Sequence, residues 1–355
     1  MNTARVSLRC EDRGAPRSGV IAIRELLLIL VTPVALLLIL YHALSVGQPH
    51  PQSAVNVLAR PVYHISIDQD ERQLWVYRLR DDVVRTNLVS GEVTQSLSMP
   101  RTQLSAVAHS REGSTSLLCA ANGAVVLFQQ GQALQGADLS PDAGIGASLC
   151  DNGTVAIVAA PGGRIYGWRH DGTTMREFSL ELPSAAAISR VGLNPSGQRM
   201  FVARTNGLVS FRSLESQDSD AAALVVGTDC VEFAWSRDEK RFGVVTSDFH
   251  VRIYDVATGS VVDQGRLDAT RDYLEGVCAS MSPDGRRLAV STTVSPDVYL
   301  WDIEAHRPAR RLRGHTGIVP AIQFSADSAR LYTGSFDGTI RVWSVDSCSQ
   351  LRILD

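Results

Sequence analysis

Lysine is nearly absent from this sequence. A single lysine, Lys240, stands among 355 residues, although lysine and arginine together number 34. We attribute the preference for arginine to a GC-rich genome, which indicates a bacterial source. The formal net charge is only -3 at pH 7, so no excess of positive charge points to a nucleic-acid partner.

Motifs for cofactor and metal chemistry are also missing. The six cysteines form no CxxC pair, and the eight histidines form no cluster at metal-ligand spacing, so the sequence predicts no metal site. No phosphate-binding loop, dinucleotide fingerprint, HExxH or GxSxG motif is present, so we expect no cofactor and no enzyme activity. We interpret the cysteines as small buried thiols rather than as disulfide partners.

Helical periodicity is absent beyond the N-terminal leader, and alternation of apolar and polar residues takes its place. The clearest stretch, residues 312–345, contains three alternating runs separated by turns rich in glycine, aspartate and serine. Such runs predict the strands of an antiparallel meander. One meander of this size cannot bury both of its faces, which predicts further copies along the chain.

Weaker copies of this meander precede it at regular spacing. Leu331 serves as the reference position, and its counterparts recur every 40 to 46 residues. These counterparts are Leu288, Phe242, Met200, Ala156, Ser116 and Leu74. Intervals of this length are typical of repeat units that contain four strands each. The spacing therefore predicts seven units.

The order of elements in 312–345 resembles one WD repeat of a β-propeller, from its Gly-His pair to its closing tryptophan. The resemblance implies an all-β fold, a seven-bladed WD-type β-propeller over residues 61–355. In this family a histidine, a serine or threonine, a turn aspartate and a tryptophan form a buried hydrogen-bond chain. The resemblance carries these roles onto His315, Ser335, Asp337 and Trp343. The rival interpretation, a nucleophilic Ser–His–Asp set, leaves Trp343 unexplained.

An apolar run lies near the N-terminus. Residues 26–44 are nineteen residues without a formal charge, long enough to span a bilayer core as a helix. We interpret them as a transmembrane signal-anchor between an arginine-rich tail, 1–25, and a linker, 45–60. The positive-inside rule places the tail in the cytoplasm and the propeller on the extracytoplasmic side. The alternative is a signal peptide cleaved near residues 43–45, which would release a secreted or periplasmic propeller.

Loops on one face of a propeller gather side chains from every blade. Phe336, beside the turn aspartate, and Phe249 with His250 in the equivalent hairpin are therefore candidates for partner contact. The alternative is that these side chains pack against a neighbouring loop. The function we predict is a membrane-anchored, non-catalytic scaffold that binds one or more proteins. The alternative is an exported propeller enzyme or small-ligand binder that uses groups near the central channel.

A propeller has to join its first and last blades, because closure removes exposed sheet edges. The outermost strand of the last blade is either Gln350–Leu354 or residues 54–58. The sequence leaves both possibilities open. If residues 54–58 are used, the anchor is tied directly to this joint.

Overall fold

The computed structural model describes residues 61–78, 83–97, 104–120, 122–138, 146–160, 163–171, 175–182, 187–214, 223–267, 277–305 and 307–354. Every regular element in these ranges is a β-strand, and no helix in them could cross a membrane. The tail, the transmembrane segment and the linker predicted within residues 1–60 lie outside the described ranges. They stay predictions.

The first four blades follow one another along the chain. Blade 1 contains β1 (Val62–Ile67), β2 (Gln73–Arg78), β3 (Val83–Asn87) and β4 (Val93–Leu97). Blade 2 contains β5 (Leu104–His109), β6 (Thr115–Ala120), β7 (Ala124–Gln129) and β8 (Gln132–Asp138). Blade 3 contains β9 (Gly146–Leu149), β10 (Val155–Ala159), β11 (Arg164–His170) and β12 (Met175–Glu181). Blade 4 contains β13 (Ile188–Leu193), β14 (Arg199–Arg204), β15 (Leu208–Ser213) and β16 (Ala223–Val225).

The last three blades repeat the arrangement. Blade 5 contains β17 (Cys230–Trp235), β18 (Arg241–Thr246), β19 (His250–Asp255) and β20 (Val261–Arg266). Blade 6 contains β21 (Val277–Met281), β22 (Arg287–Thr292), β23 (Ser295–Asp302) and β24 (Arg307–Leu312). Blade 7 contains β25 (Ala321–Phe324), β26 (Arg330–Gly334), β27 (Ile340–Ser344) and β28 (Gln350–Leu354).

Each blade is one antiparallel sheet of four consecutive strands, and there are seven such sheets. At six of the seven joints the first strands of neighbouring blades contact each other, which places the first strands around a central axis and the fourth strands at the rim. Leu331 and its six counterparts each occupy the second residue of a second strand. The seven units predicted from spacing are therefore confirmed, and the reference position has the same place in every blade.

Seven hydrophobic clusters fill the seven gaps between neighbouring blades. Successive side chains of a strand point to opposite faces of its sheet. Because each sheet has a neighbour on both faces, the second strands are apolar without alternation. β6 and β10 are buried along their whole length. This burial of apolar surface, worth about 25 cal/mol per Å², is the main stabilising contribution to the ring.

Blade 7 takes its outermost strand from Gln350–Leu354. This segment is β28, and it pairs antiparallel with β27, where Val342 lies opposite Arg352. The alternative strand, residues 54–58, lies outside the described ranges. The four strands of blade 7 follow one another in sequence. Among the described residues, no shared strand bridges the joint between blades 7 and 1, here called the seam.

Hydrogen bonds across the seam connect the innermost strands of blades 7 and 1. The Ile67 N–H donates to Oε1 of Gln323 at 2.8 Å, and the Gln323 side-chain amide donates to the Ile67 carbonyl at 3.3 Å. The Val62 N–H donates to the Ser335 carbonyl at 3.0 Å. Around these bonds an apolar cluster joins Val62, Ile65 and Ile67 to side chains of blade 7.

One residue in the turn between the first and second strands of each blade, here called the first turn, has a positive φ. These residues are Glu71, Gly113, Gly153, Gly197, Glu239, Gly285 and Ser328, with φ between 53° and 74°. Glycine adopts this left-handed conformation freely, whereas other residues are strained there by about 1–2 kcal/mol. Three blades therefore accept strain that the other four avoid.

The three strained side chains reach the preceding blade. Glu71 of blade 1 accepts a hydrogen bond from the Tyr332 hydroxyl of blade 7 at 3.0 Å and pairs with Arg330 at 2.9 Å. The side chains of Glu239 and Ser328 also bond to the blade that precedes their own. Glu239 of blade 5 accepts from the Asn194 side chain and the Ser196 N–H of blade 4, both at 2.6 Å, and Ser328 of blade 7 accepts from the Asp284 N–H of blade 6 at 3.3 Å.

We expect the Glu71→Ala variant to lower the free energy of unfolding by about 1–3 kcal/mol, because Tyr332 and Arg330 lose their acceptor while the backbone strain remains. Glu71→Gly loses the same bonds but removes the strain, so its loss is smaller by about 1 kcal/mol. Urea unfolding followed by tryptophan fluorescence measures both. Glu92→Ala, an exposed change in the same blade, is the control. Equal losses for Glu71→Ala and Glu92→Ala would contradict the role of Glu71.

Candidate functional site

A chain of side-chain hydrogen bonds runs through blade 7. His315 lies in the connection that follows β24, Thr333 lies in β26 and Trp343 in β27, and Asp337 lies in the turn between those two strands. The distances are 2.8 Å from Trp343 Nε1 to Thr333 Oγ1, 2.7 Å from Thr333 Oγ1 to His315 Nε2, and 2.9 Å from His315 Nδ1 to Asp337 Oδ2. His315 and Thr333 are buried.

One assignment of protons satisfies the whole chain. The Trp343 N–H donates to the Thr333 oxygen, the Thr333 hydroxyl donates to Nε2 of His315, and Nδ1–H of His315 donates to Asp337. This tautomer is inferred from the network. Thr333, the hydroxyl that His315 could activate, is completely buried, and its oxygen already accepts from Trp343. The chain braces the blade.

The prediction that Ser335 is the hydroxyl member of this chain was wrong. Register places Leu331 opposite Trp343, and Thr333 follows two residues later on the same sheet face, within reach of the indole N–H. Ser335 lies beyond the last paired residue of β26. Its hydroxyl donates to the Gly317 carbonyl at 3.0 Å and accepts from the Asp337 N–H at 3.1 Å, so it fixes the turn instead.

Asp337 is held as a carboxylate. Its oxygens accept from the Thr316 N–H at 3.0 Å, the Thr339 N–H at 2.9 Å and the Thr339 hydroxyl at 2.7 Å, in addition to His315. Burial alone would raise the pKa of Asp337, but the bond from His315 and those from Thr316 and Thr339 lower that pKa well below its usual value. The negative charge is therefore compensated locally by donors.

Blade 5 has a shorter and more exposed version of the arrangement. Asp248 accepts from the Thr246 hydroxyl at 2.6 Å and from the Thr228 hydroxyl at 3.1 Å, and it lies 2.9 Å from His250 Nδ1. Burial alone would raise the pKa of Asp248, but the bonds from these hydroxyls and from His250 lower it. The His250 side chain, one of the predicted contact residues, is 40% exposed.

The structure places the two predicted phenylalanine contacts in different surroundings. Phe249 is completely buried in the cluster between blades 5 and 6, so its assignment as a contact residue was wrong. Its φ of 67° turns the side chain inward where a turn residue was expected to point outward. Phe336 is half-buried and packs on Tyr63 of blade 1, with ring centroids 4.7 Å apart. Phe336 thus contributes to the seam.

A cavity of about 200 Å³ lies where the innermost strands end. We call it the channel mouth, and its lining comes from blades 2, 3, 4, 5 and 7. The lining residues are His109, Arg111, Leu149, Asp151, Leu193, Asn194, Pro195, Trp235, Arg237 and Gln323. His109, Leu149, Leu193 and Trp235 each end the first strand of a blade, and Arg111, Asp151, Pro195 and Arg237 each lie two residues further on.

Backbone hydrogen bonds hold the first turns around this cavity in place. The Glu112 N–H donates to the Asp151 carbonyl at 3.3 Å, and the Asp151 N–H donates to the Pro195 carbonyl at 2.9 Å. These bonds connect blades 2, 3 and 4. The side chains that line the channel mouth therefore stand on a fixed frame.

Two arginines and one aspartate set the charge of the channel mouth. Arg111 Nη1 lies 3.9 Å from Asp151 Oδ2, a distance too long for a hydrogen bond. Burial raises the pKa of Asp151, although Arg111 and Arg237 both lower it. Burial also lowers the pKa of Arg111, against the effect of Asp151. The exposed Arg237 makes no ion pair or hydrogen bond within the described residues.

Two ring nitrogens of lining residues are buried and have no partner within the described part of the chain. They are Nε2 of His109 and Nε1 of Trp235. Nδ1 of His109 lies 2.8 Å from the Ser116 hydroxyl, and its ring stacks on Trp75 with centroids 4.8 Å apart. Burial, helped by His64 and Arg85, lowers the pKa of His109 well below its usual value, so the ring is neutral at physiological pH.

Sequence reasoning missed the channel mouth because it looked for one residue type repeated in several units. Here one repeat position carries Arg111, Asp151, Pro195 and Arg237 in four successive blades. The signal that would have found it is a charge recurring at that position, whatever its sign. The described ranges contain no group of three or more His, Cys, Asp or Glu side chains that could hold a metal ion.

Comparisons with known proteins agree with this architecture. Residues 306–344 match the WD40 family model, described as WD domain, G-beta repeat. The matched stretch includes β24, the outermost strand of blade 6, and ends in β27 of blade 7. The sequence repeat is therefore shifted by one strand against the structural blade.

Curated relatives match part of the chain. The U3 snoRNP-associated protein-like EMB2271 of Arabidopsis thaliana is 28% identical over 177 residues, 46% of this chain and 36% of that protein. The guanine nucleotide-binding protein subunit beta of Arabidopsis thaliana is 27% identical over 213 residues, 56% of this chain and 54% of that protein. The chain thus spans about a third to a half of the length of these relatives.

A solved structure extends the likeness to the whole ring. The β-propeller domain of Cps50 (Swd1) from Myceliophteria thermophila aligns with a TM-score of 0.68 and 17% identity. The alignment covers 81% of this chain and 98% of that chain. At this identity the likeness establishes the fold alone, that of a propeller.

We expect Thr333→Val to destabilise the protein by about 2–4 kcal/mol, because the buried N–H of Trp343 and Nε2 of His315 both lose their partner. Ser335→Ala should cost only about 1 kcal/mol, since it removes bonds at the edge of the blade. Urea unfolding compares the two variants, and Thr333→Ser, which keeps the hydroxyl, is the matched control. A larger loss for Ser335→Ala than for Thr333→Val would contradict the hydrogen-bond chain described above.

Proposed function

We propose that this WD-repeat propeller is a protein-interaction scaffold. The observation that carries the proposal is the channel mouth, where side chains from five blades converge at the ends of the innermost strands. Because these side chains stand on strand ends and tight turns joined by hydrogen bonds, a partner meets a preformed surface. Preorganisation of this kind reduces the entropic cost of binding.

The names of the similar proteins support this proposal. One is a protein associated with the U3 snoRNP, and another is a subunit of a guanine nucleotide-binding protein. Both names describe members of protein assemblies. We propose the same general role for this chain, with partners of its own.

We also propose that the domain is not an enzyme. The one arrangement of His, Asp and hydroxyl groups in blade 7 that resembles catalytic machinery is buried, and its members bond to one another. The alternative, a propeller that binds small ligands, draws support from the size of the cavity at the channel mouth.

The N-terminal segment completes the proposal. We propose that residues 26–44 anchor the propeller to a membrane, with residues 1–25 in the cytoplasm and the propeller on the extracytoplasmic side. The support is the uncharged run of nineteen residues and the arginines that precede it, which follow the rules for length and orientation of a spanning helix.

Affinity purification of the tagged full chain from its native membranes tests the scaffold role. We expect specific proteins to be enriched with the wild type and with Lys240→Ala, and to be lost with the Arg111→Ala, Arg237→Ala double variant, because the channel mouth loses its positive charge. Lys240→Ala is the matched control, since it removes a positive charge from the same turn as Arg237. If nothing is enriched over the tag alone, the scaffold proposal fails. Partners that persist with the double variant would place their contacts elsewhere on the ring.

Protease treatment of intact cells tests the topology. We expect the propeller to be digested and an epitope placed at the N-terminus to stay protected, because the two lie on opposite sides of the membrane. Protection of the propeller would overturn the proposed orientation. A mature N-terminus near residues 43–45, found by sequencing the purified protein, would show that the segment is a cleaved signal peptide.

A further inference from the structure

The channel mouth has the dimensions of a side-chain pocket. Its volume of about 200 Å³ is below the roughly 300–1,000 Å³ of pockets that hold whole cofactors or drug-sized ligands. Leu149, Leu193, Pro195 and Trp235 contribute the smaller, apolar part of a mainly polar lining. We therefore expect an occupant with a short apolar stem and a polar group that suits the charged residues of the lining.

The charged lining selects a single negative charge. Arg111, Arg237 and Asp151 sum to one positive charge when all three are ionised. Arg111 faces Asp151 at 3.9 Å, and Arg237 makes no ion pair or hydrogen bond within the described residues. Glu112 and Glu239 act on Asp151 more weakly than the arginines do, and Glu239 is already bonded to Asn194 and Ser196.

The neutral polar lining residues offer an occupant little beyond what the arginines provide. Gln323 is consumed by its bonds to Ile67 across the seam, and Asn194 by its bonds to Ser196, Glu239 and Arg199. Trp235 Nε1 and His109 Nε2 are different, since both are buried and neither has a partner within the described ranges. Because both atoms are shielded from solvent, they do not form part of the surface that an occupant contacts.

We propose that the channel mouth binds a carboxylate, the side chain of a glutamate or aspartate that a partner protein presents on an exposed loop. Arg237 and Arg111 bind the carboxylate, and the apolar part of the lining receives its methylene stem. This inference rests on the proposed scaffold function and names the chemistry of the partner at that site.

Geometry and charge both favour a carboxylate over other anions. A guanidinium binds a carboxylate through two parallel N–H···O bonds, and Arg237 has its full set of donors available for this purpose. A phosphate group brings close to two negative charges at neutral pH, which one net positive charge in the lining does not balance. The carboxylate of Asp151 repels any anion, so this residue limits the affinity and makes a monoanion the better match.

Isothermal titration calorimetry on the purified full chain tests the proposal with defined probes. The probe is a blocked tripeptide, acetyl-Ala-Glu-Ala-amide, and acetyl-Ala-Gln-Ala-amide is its uncharged match. We expect the glutamate peptide to bind and the glutamine peptide not to bind. We expect Arg237→Ala to weaken binding about tenfold or more, the loss typical of a hydrogen-bonded charged group. Circular dichroism of each variant checks that the ring is folded.

Two further variants separate the site from general charge attraction. Asp151→Asn should strengthen binding several-fold, because it removes the competing carboxylate, an outcome that a purely structural role for Asp151 does not produce. Lys240→Ala should leave the affinity unchanged. Absence of binding, equal weakening by Lys240→Ala and Arg237→Ala, or weaker binding with Asp151→Asn would each overturn the proposal.

Free acids distinguish the source of the carboxylate. If succinate binds and its affinities rank the variants in the same order, the carboxylate site is supported. The ligand is then a small diffusible acid instead of a partner's side chain. Inorganic phosphate that binds in place of the glutamate peptide would overturn the choice of ligand. Because these measurements use purified protein, their failure leaves the scaffold proposal to be decided by the affinity purification.

Discussion

Between blades 7 and 1, the contacts that close the ring among the described residues are side-chain contacts and scattered backbone hydrogen bonds. Gln323 exchanges two hydrogen bonds with the backbone of Ile67, and the carboxylate of Glu71 bonds to Tyr332 and Arg330. Every other blade is covered on both faces by its neighbours in sequence. Only at the seam do residues about 260 positions apart have to meet, so the burial of all seven clusters depends on this joint.

The first turns show how the same backbone serves two purposes. Where glycine occupies the left-handed position, as in Gly153, the neighbouring blade packs so closely that an added Cβ would lie 2.3 Å from Thr115. Where Glu71 or Glu239 occupies it, the side chain uses that same direction to bond to the preceding blade. Strain at the backbone is thus offset by a polar contact between blades, and the contact at Glu71 lies at the seam.

Much of this fold follows from spacing alone. The reference residue Leu331 recurs at the second residue of every second strand because each blade has to present one apolar strand to two neighbours. The predictions that were wrong concern the direction in which a side chain points. Thr333 and Ser335 share a sheet face, and only the register with Trp343 distinguishes them. Phe249 looked exposed because turns are usually solvated, yet its positive φ buries the ring.

The channel mouth was beyond sequence reasoning for a related reason. One repeat position carries Arg111, Asp151, Pro195 and Arg237. These residues line a common cavity only because the folded ring brings the first turns of their blades around one axis. The bracing of blade 7 by Thr333 and His315 is separate from this position. Substitution of Arg111 or Arg237 therefore leaves the hydrogen bonds that brace blade 7 in place.

The position of the first strand has a mechanical consequence. Within the described residues, the first strand begins at Val62 on the innermost side of blade 1, and the Val62 N–H bonds to the Ser335 carbonyl. A force applied to the start of β1 would act first on the innermost strands and would shear the seam. β28, at the rim, would not carry this force. A pull applied to the start of this strand is therefore resisted by the contacts that also close the ring.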